Sequence, residues 1–499
     1  MRSPGLFSAL VIAASVLGGV FGLEDEGVEA RGIDATVSCK QIAKAISSES
    51  DVYWPGIFLF WLFSHHYSHL VDTLSSDSAT CSVEPGNVED LGKILQIVGR
   101  NRTPFAVRGG GHTANPGFSS TPGVHIAMFR FSEVKYDSTT ETVDIGAGLV
   151  WDDVYAALEP LGINVVGGRV TGVGVAGFTL GGGYSWLSNE RGLTIDNVLA
   201  FDLVLPDGTF TKVTQETNPD LFWGLKGGFN NYGIVTKFTM KAFPQGPVWG
   251  GLITITGDHL DEVNAATAKF AATVTDPKAA IITTYNFLLG AAGVSQLLFY
   301  NGPTPPAGIF DDFLAIPHFT KDVSTRPFTS LILSSPANAT SGTRGLFHTV
   351  SVKDYSENFL NAVVNETRYW GRKLSLASAT FISYDIEPFL PTTFSQAAAE
   401  SAAYPPTRAH LLPTNIYYSW LLSLSDNLMF ESIKQSTEHL ANVAAAEGQD
   451  ISDLSLYGNY AVFDTPLEKI YGGNLGRLRS IKNQYDPNDV MGLAGGWKF

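Results

Sequence analysis

Two glycine-rich runs carry the sharpest chemistry in the chain. The first is Val107-Arg108-Gly109-Gly110-Gly111-His112-Thr113. The second runs from Gly167-Gly168-Arg169-Val170-Thr171-Gly172-Val173-Gly174 through Gly177-Phe178 to Leu180-Gly181-Gly182-Gly183. Glycine lacks a Cβ, so the backbone can take positive φ and approach a ligand directly. Successive N–H groups in such turns form a concave nest that holds an anion such as a diphosphate. Gly172-x-Gly174-x-x-Gly177 also spells the dinucleotide fingerprint, with Asp196 about 20 residues on. A nicotinamide-binding Rossmann unit would need a helix here. Gly181 to Gly183 and Tyr184 interrupt it, at about 1 kcal/mol per helical glycine. His65 and His69 would share a helix face, as in a zinc site. They lack an acidic residue between them and a third ligand, so no metal is expected.

Taken together, the runs resemble the PCMH-type FAD-binding domain of the vanillyl-alcohol oxidase superfamily, in particular its berberine-bridge-enzyme-like oxidases. That family carries an Arg-x-Gly-Gly-His loop, matched by Arg108 to His112. It follows with a segment ending in Leu-Gly-Gly-Gly, matched by Leu180 to Gly183. A Gly-Leu-x-x-Asp-Asn-Val run comes next, matched by Gly192 to Val198. The resemblance implies FAD, held by Arg108 to Thr113, by the second run from Val170 through Gly183, and by Asn197 and Val198. His112 would bond to the flavin 8α-methyl. Val170 stands where many relatives have a cysteine as second tether, so a single link is expected. Phe178 replaces a histidine near the flavin pyrimidine. Val173 lies in the run that resembles the oxygen-access wall.

The resemblance resumes at Tyr457-Gly458-Asn459-Tyr460. It implies Tyr457 as a base with a lowered pKa, taking a hydroxyl proton as hydride leaves the adjacent carbon. Tyr384 and Asp385 lie where relatives place a partner polarising that base, and Asn459 would hold the substrate or the flavin edge. The function implied is a secreted FAD-dependent oxidase of an alcohol or carbohydrate, reducing O2 to H2O2. The alternative is an FAD-linked oxidoreductase of secondary-metabolite biosynthesis.

The elements that must position these residues are partly readable. A helix is expected from Val88, with Leu91, Ile94, Leu95 and Val98 at helical spacing. A buried strand over Phe105 to Arg108 feeds the first glycine run. Strands at 143–145 and 164–166 and a helix at 151–158 lead into the second. Strands at 201–205 and 233–240 continue an α+β flavin domain. Beyond residue 245, strands at 252–255, 280–285 and 296–300 and helices at 260–274 and 427–446 read as an α+β substrate domain with an antiparallel sheet. The expected divisions are a signal peptide at 1–22, a leader and arm at 23–76, the FAD-binding domain at 77–244, the substrate domain at 245–445, and a C-terminal segment at 446–499 returning to the FAD-binding domain.

A chain of 499 residues exceeds one typical core. Its formal charge of −16 offers no basic field for nucleic acid. Arg2, the apolar Leu6 to Val20 and the small-residue end at Gly22 read as a secretory signal, so neither a membrane span nor stable membrane association is expected. The partners expected are a small-molecule substrate and O2, with the chain a monomer. Two cysteines, Cys39 and Cys81, would pair after export, as the family's N-terminal disulfide also implies. Sequons at Asn101, Asn338 and Asn365 are candidate glycosylation sites.

Overall fold

The computed structural model describes residues 35–55, 79–335, 340 and 342–499. The expected signal peptide, the histidines at 65, 66 and 69 and the Asn338 sequon lie outside the described residues. Residues 35–499 form one compact unit.

A four-stranded sheet opens it. Its strands are β1 (Asp51–Tyr53), β2 (Cys81–Glu84), β3 (Phe105–Arg108) and β4 (Val124–Ala127), in the order β1-β2-β4-β3. β4 pairs in parallel with both β2 and β3. Parallel strands are covered on both faces, and β2 and β4 are buried throughout. Helix α1 (Thr36–Ala45) precedes the sheet and α2 (Val88–Asn101) links β2 to β3. Asn87 starts α2 by accepting the Asp90 N–H at 2.8 Å, with Glu89 and Asp90 in the positive first turn. Leu91, Ile94, Leu95 and Val98 form its buried stripe. They share a core with Cys39 and Cys81, which are joined as a disulfide across 42 residues.

The second sheet is antiparallel: β5 (Val134–Asp137), β6 (Thr142–Gly146), β8 (Val198–Val204), β9 (Phe210–Thr214) and β10 (Ile234–Lys241), ordered β5-β6-β10-β8-β9. A short pair, β7 (Ile163–Asn164) and β11 (Phe243–Pro244), lies beside it. Helix α3 (Trp151–Leu158) precedes the second glycine run, and the short helix α4 (Val175–Leu180) lies within it.

The third sheet has seven antiparallel strands: β12 (Val248–Thr256), β13 (Ala279–Leu288), β14 (Ala291–Tyr300), β15 (Thr320–Arg326), β16 (Arg344–Val352), β17 (Ala379–Ile386) and β18 (Leu412–Trp420). Their order is β15-β12-β14-β13-β17-β18-β16. The expected antiparallel sheet is there, but β15 to β18 were not readable. One face lies on α5 (Leu260–Thr273), α6 (Glu357–Ser375) and α7 (Asp426–Ala446). Tyr285 donates to Asn264 of α5 at 2.6 Å and Tyr384 bonds Ser436 of α7 at 2.7 Å. The opposite face meets the glycine runs through His112–Phe347 and Arg169–Glu387 contacts. β18 is buried on both faces over its whole length. The sequons at Asn101 and Asn365 are exposed.

Candidate active site

The first glycine run leaves β3 at Arg108 and turns at Gly111, whose φ of +67° suits glycine. Arg108 folds back so that any Cβ on Gly111 would lie 2.6 Å from its Nε. Burial lowers the Arg108 guanidinium to about 10, and it lies over the Phe129 ring. The second run is fastened at both ends. Gly167 and Gly168 lie against Trp151, and Tyr155 donates to the Gly168 carbonyl at 2.7 Å. Asp152, in the first turn of α3, accepts from Thr171 Oγ1 at 2.6 Å and from the Gly172 N–H at 2.8 Å. The Val173 carbonyl accepts from the Trp151 N–H at 2.9 Å. The runs then touch: a Cβ on Gly174 would come 2.6 Å from the Gly110 nitrogen. Backbone meets backbone, and only glycine permits it.

Asp196, the acidic residue of the dinucleotide fingerprint, is tied to Arg408 at 2.7 Å and accepts the Leu193 N–H. It holds a turn and is not free for a ribose. Asn197 donates to the Arg191 and Leu193 carbonyls, and Val198 opens β8, so both brace the turn behind the run.

His112 lies with its ring facing Phe347 of β16, centroids 6.4 Å apart. Desolvation lowers its pKa, which favours the neutral imidazole. Thr113 Oγ1 accepts the Asn115 N–H. Val170 and Phe178 are partly buried, and Phe178 packs edge-on against Trp151.

Tyr457 is brought to the end of the second run. Its Oη accepts from the Gly183 N–H at 3.0 Å and from Asn459 Nδ2 at 2.7 Å. Gly182, with φ +132°, leaves room for its ring. Asn459 also donates to the Phe178 carbonyl, and Trp497 Nε1 donates to the Gly458 carbonyl at 3.1 Å, clamping the turn. The lowered pKa is corrected. Burial pushes Tyr457 up to about 12, despite the Asn459, Gly183 and Arg169 effects in the other direction. With two donors on its oxygen, its own O–H remains available to donate.

Tyr384 is also corrected. It faces the helices, with its Oη bonded to Tyr418 and Ser436 at 2.7 Å each, because side chains alternate along a strand. Asp385 takes the other face. It sits opposite Asn415 in β18 and accepts its Nδ2 at 2.8 Å. Burial, then the neighbouring Glu387 charge, raises the Asp385 carboxyl to about 6.

Sequence reasoning missed the group that joins the halves. Arg169 and Glu387 form a buried ion pair at 2.8 Å, and Tyr460 bridges them, 2.9 Å from Arg169 Nη2 and 3.0 Å from Glu387 Oε1. Burial alone would disfavour the Arg169 charge, but Glu387 and Tyr460 more than offset it and its pKa is raised. Burial pushes Glu387 up while Arg169 pulls it back. The period of two through Ser383, Asp385 and Glu387 was the available signal. On the same face, the Phe347 and Tyr417 rings meet in a tilted contact, centroids 4.5 Å apart. Among the described residues no cluster could hold a metal. A backbone cradle where added Cβ atoms would collide, next to a neutral histidine, suits a flavin dinucleotide.

The comparisons agree. A family model described as FAD binding domain matches residues 79–214, and one described as berberine and berberine like matches residues 456–494. The FAD-dependent monooxygenase drtC of Aspergillus calidoustus is 30% identical over 491 residues, covering 94% of this chain and 91% of that protein. The fold is shared with BBE-like 1 of Physcomitrella patens (TM-score 0.73, 20% identity, 91% of this chain and 97% of that one). It is shared also with a chitooligosaccharide oxidase (TM-score 0.71, 18% identity, 93% and 100%). With cradle, tail and full-length similarity in agreement, the chain belongs to the berberine-bridge-enzyme-like FAD-linked oxidoreductases.

Proposed function

We propose that the protein is a secreted FAD-dependent oxidase of a hydroxyl-bearing small molecule, with its cofactor tethered through His112 alone. The chemistry that bound FAD supplies is acceptance of a hydride from a C–H bond and return of the electrons to O2 as H2O2. The observation that carries the reading is that a carboxylate and a tyrosine both border the buried Arg169–Glu387 pair: Asp385 lies two residues before Glu387, and the Tyr457 ring meets edge-on, at 4.8 Å, the ring of Tyr460 that bridges the pair. Asp385, at about 6, is ionised at neutral pH yet basic enough to take a hydroxyl proton. Tyr457, at about 12, keeps its proton and donates it as a hydrogen bond to the substrate oxygen. Asn415 holds the Asp385 carboxylate, and Asn459 holds Tyr457. Neutral His112 and the absence of a cysteine at Val170 support the single tether. The Cys39–Cys81 bond supports export, since disulfides persist in oxidising compartments.

The test is turnover on a panel of sugars, alcohols and phenols, with peroxide and product mass measured together. The reading expects one peroxide per product that has lost two hydrogens. A second reading, oxygen insertion into an aromatic metabolite, is favoured by the aromatic Phe347–Tyr417 pair and by the relative's monooxygenase name. It requires an external two-electron donor such as a reduced nicotinamide, a product heavier by one oxygen, the second oxygen atom leaving as water, and no matching peroxide. Acid-precipitated protein that loses its flavin would overturn the covalent tether.

A further inference from the structure

One end of the seven-stranded sheet carries six exposed leucines. Leu289 caps the β13–β14 hairpin, Leu376 ends α6 just before β17, Leu421, Leu422 and Leu424 follow β18, and Leu428 lies in the first turn of α7. The strand register places these turns side by side. Leu288 pairs with Phe381, and Ala379 pairs with Trp420, itself opposite Arg344. The loops are also joined, since Leu421 N–H donates to the Ser378 carbonyl and Ser425 Oγ donates to that of Ala377. Leu376 and Leu424 are 92% and 95% exposed, so their side chains project rather than lie flat.

The backbone points the same way. Leu289 and Gly290 form a two-residue hairpin turn with φ of +52° and +86°. Such turns favour Asn-Gly or Asp-Gly, and a bulky residue at positive φ is an outlier. A projecting leucine is held there against both solvation and backbone preference. Exposed apolar patches of this kind mark interaction surfaces.

We propose that this leucine rim docks the protein on a phospholipid bilayer surface, and that it does so without spanning it. Among the described residues no helix is long and apolar enough to cross a membrane. Tyr369 and Lys373 share the α6 face that ends in Leu376, and Lys373 lies over the Trp370 ring at 4.5 Å. Arg372 is exposed beside them. Leucines flanked by lysine, arginine and ring-edge aromatics match the headgroup region, where apolar chains insert and cations meet phosphate. Protein interfaces are anchored instead by buried Trp, Tyr and Arg, with leucine under-represented at their centres. The one acidic side chain within the leucine loops, Asp426, is already bonded to Arg344 and Trp420. β17 leads from this rim toward Asp385, with Phe381 and Ser383 on the same face. At about 3.4 Å per residue the four-residue step from Phe381 to Asp385 is about 14 Å. The expectation of no stable membrane association came from the lack of a span, and no linear reading brings these three turns together.

The test is flotation of the full-length protein with vesicles of phosphatidylcholine alone and of phosphatidylcholine with phosphatidylserine. Wild type should float with both, more with the anionic set. Leu376→Gln/Leu424→Gln should lower the bound fraction at least about tenfold, with unchanged unfolding and unchanged turnover on a soluble substrate. Arg372→Glu/Lys373→Glu should remove the phosphatidylserine preference. The apolar residues 56–63 are present in every variant, so the difference belongs to the rim. Wild type that does not float, or a leucine variant that floats equally, overturns the proposal. So does a wild-type dimer that the leucine variant turns into a monomer, which assigns the rim to a second copy of this chain.

Discussion

Replacing Gly174 by alanine tests whether the two glycine runs meet as described. Gly174 has φ −70° and ψ 142°, which alanine adopts freely, so the added carbon is the whole perturbation. It would lie 2.6 Å from the Gly110 nitrogen and 2.7 Å from its Cα. Ordinary contact between such atoms is about 3.5 Å or more, so a separation of about 1 Å is needed. Neither neighbour is a side chain that can swing aside. On its other side Gly174 is held by the Trp151–Val173 and Val175–Leu149 hydrogen bonds, both 2.9 Å. The loop Gly109 to Gly111 must therefore move, carrying His112 with it. Overpacking of this sort costs about 1–3 kcal/mol, within the roughly 5–15 kcal/mol of a folded protein. The variant should fold, with its urea midpoint lowered, and should retain at most about a tenth of the wild-type flavin, the equivalent of 1.4 kcal/mol. Gly177→Ala is the control. A Cβ there meets nothing within 4 Å, and the position is helical. Alanine is better than glycine in a helix by up to about 1 kcal/mol. In a His112→Ala background dialysed free of flavin, Gly177→Ala should unfold at the same or higher urea, and Gly174→Ala at lower. A Gly174→Ala protein with wild-type flavin content and urea midpoint would refute the contact.

Other outcomes follow from the same geometry. Asp385→Asn should slow anaerobic flavin reduction by about 10² to 10⁴ and abolish a rate that rises with pH through about 6. Tyr457→Phe should slow it while keeping that limb; loss of the limb in Tyr457→Phe instead returns the proton to the tyrosine. Because the Asp385 pKa is raised on folding, the folded state holds a proton between about pH 4 and 6 that the unfolded state has released, and stability falls as pH rises through this window. Asp385→Asn should therefore gain stability relative to wild type at pH 7 and lose that gain by pH 4, as read by urea titration. Glu387→Gln leaves Arg169 buried without its partner and should cost about 3–5 kcal/mol. Arg169→Met/Glu387→Leu should recover much of that in unfolding experiments, but not in turnover. Reducing Cys39–Cys81 frees a 42-residue loop, worth about 4 kcal/mol by chain entropy. Denaturant midpoints with and without reductant should differ accordingly.

The glycine runs were legible because their requirement is local: a backbone that must approach something closely shows itself as missing side chains. The helix at 151–158 and β3 were legible for a similar reason, with apolar spacing matching the element period. The strands that carry Asp385 and Asn415 were not. β18 is buried on both faces, so its Thr414, Asn415, Tyr417 and Ser419 give no polar-out signal. Tyr384 and Asp385 are neighbours in sequence, yet they face opposite sides of the sheet, and only the register says which one lies on the side of Arg169 and Glu387. Arg169 was hidden in plain view within the second glycine run. Its partner lies 218 residues away, and no spacing rule reaches that far.

The distance along the chain between Gly183 and Tyr457, 274 residues, has a consequence for biosynthesis. A ribosome releases both glycine runs early, long before the tyrosine that lies at their end and the Trp497 that clamps its turn. During that interval the cradle lacks Tyr457 and Trp497, and β3 lacks its bridge to Ala494. The nascent chain therefore has a loading window, open from the emergence of β10, which completes the second sheet, to the docking of the tail. Cofactor is predicted to enter stalled chains ending before residue 457 faster than it enters the released, folded apoprotein. Equal uptake rates in the two would show that the finished fold opens unaided.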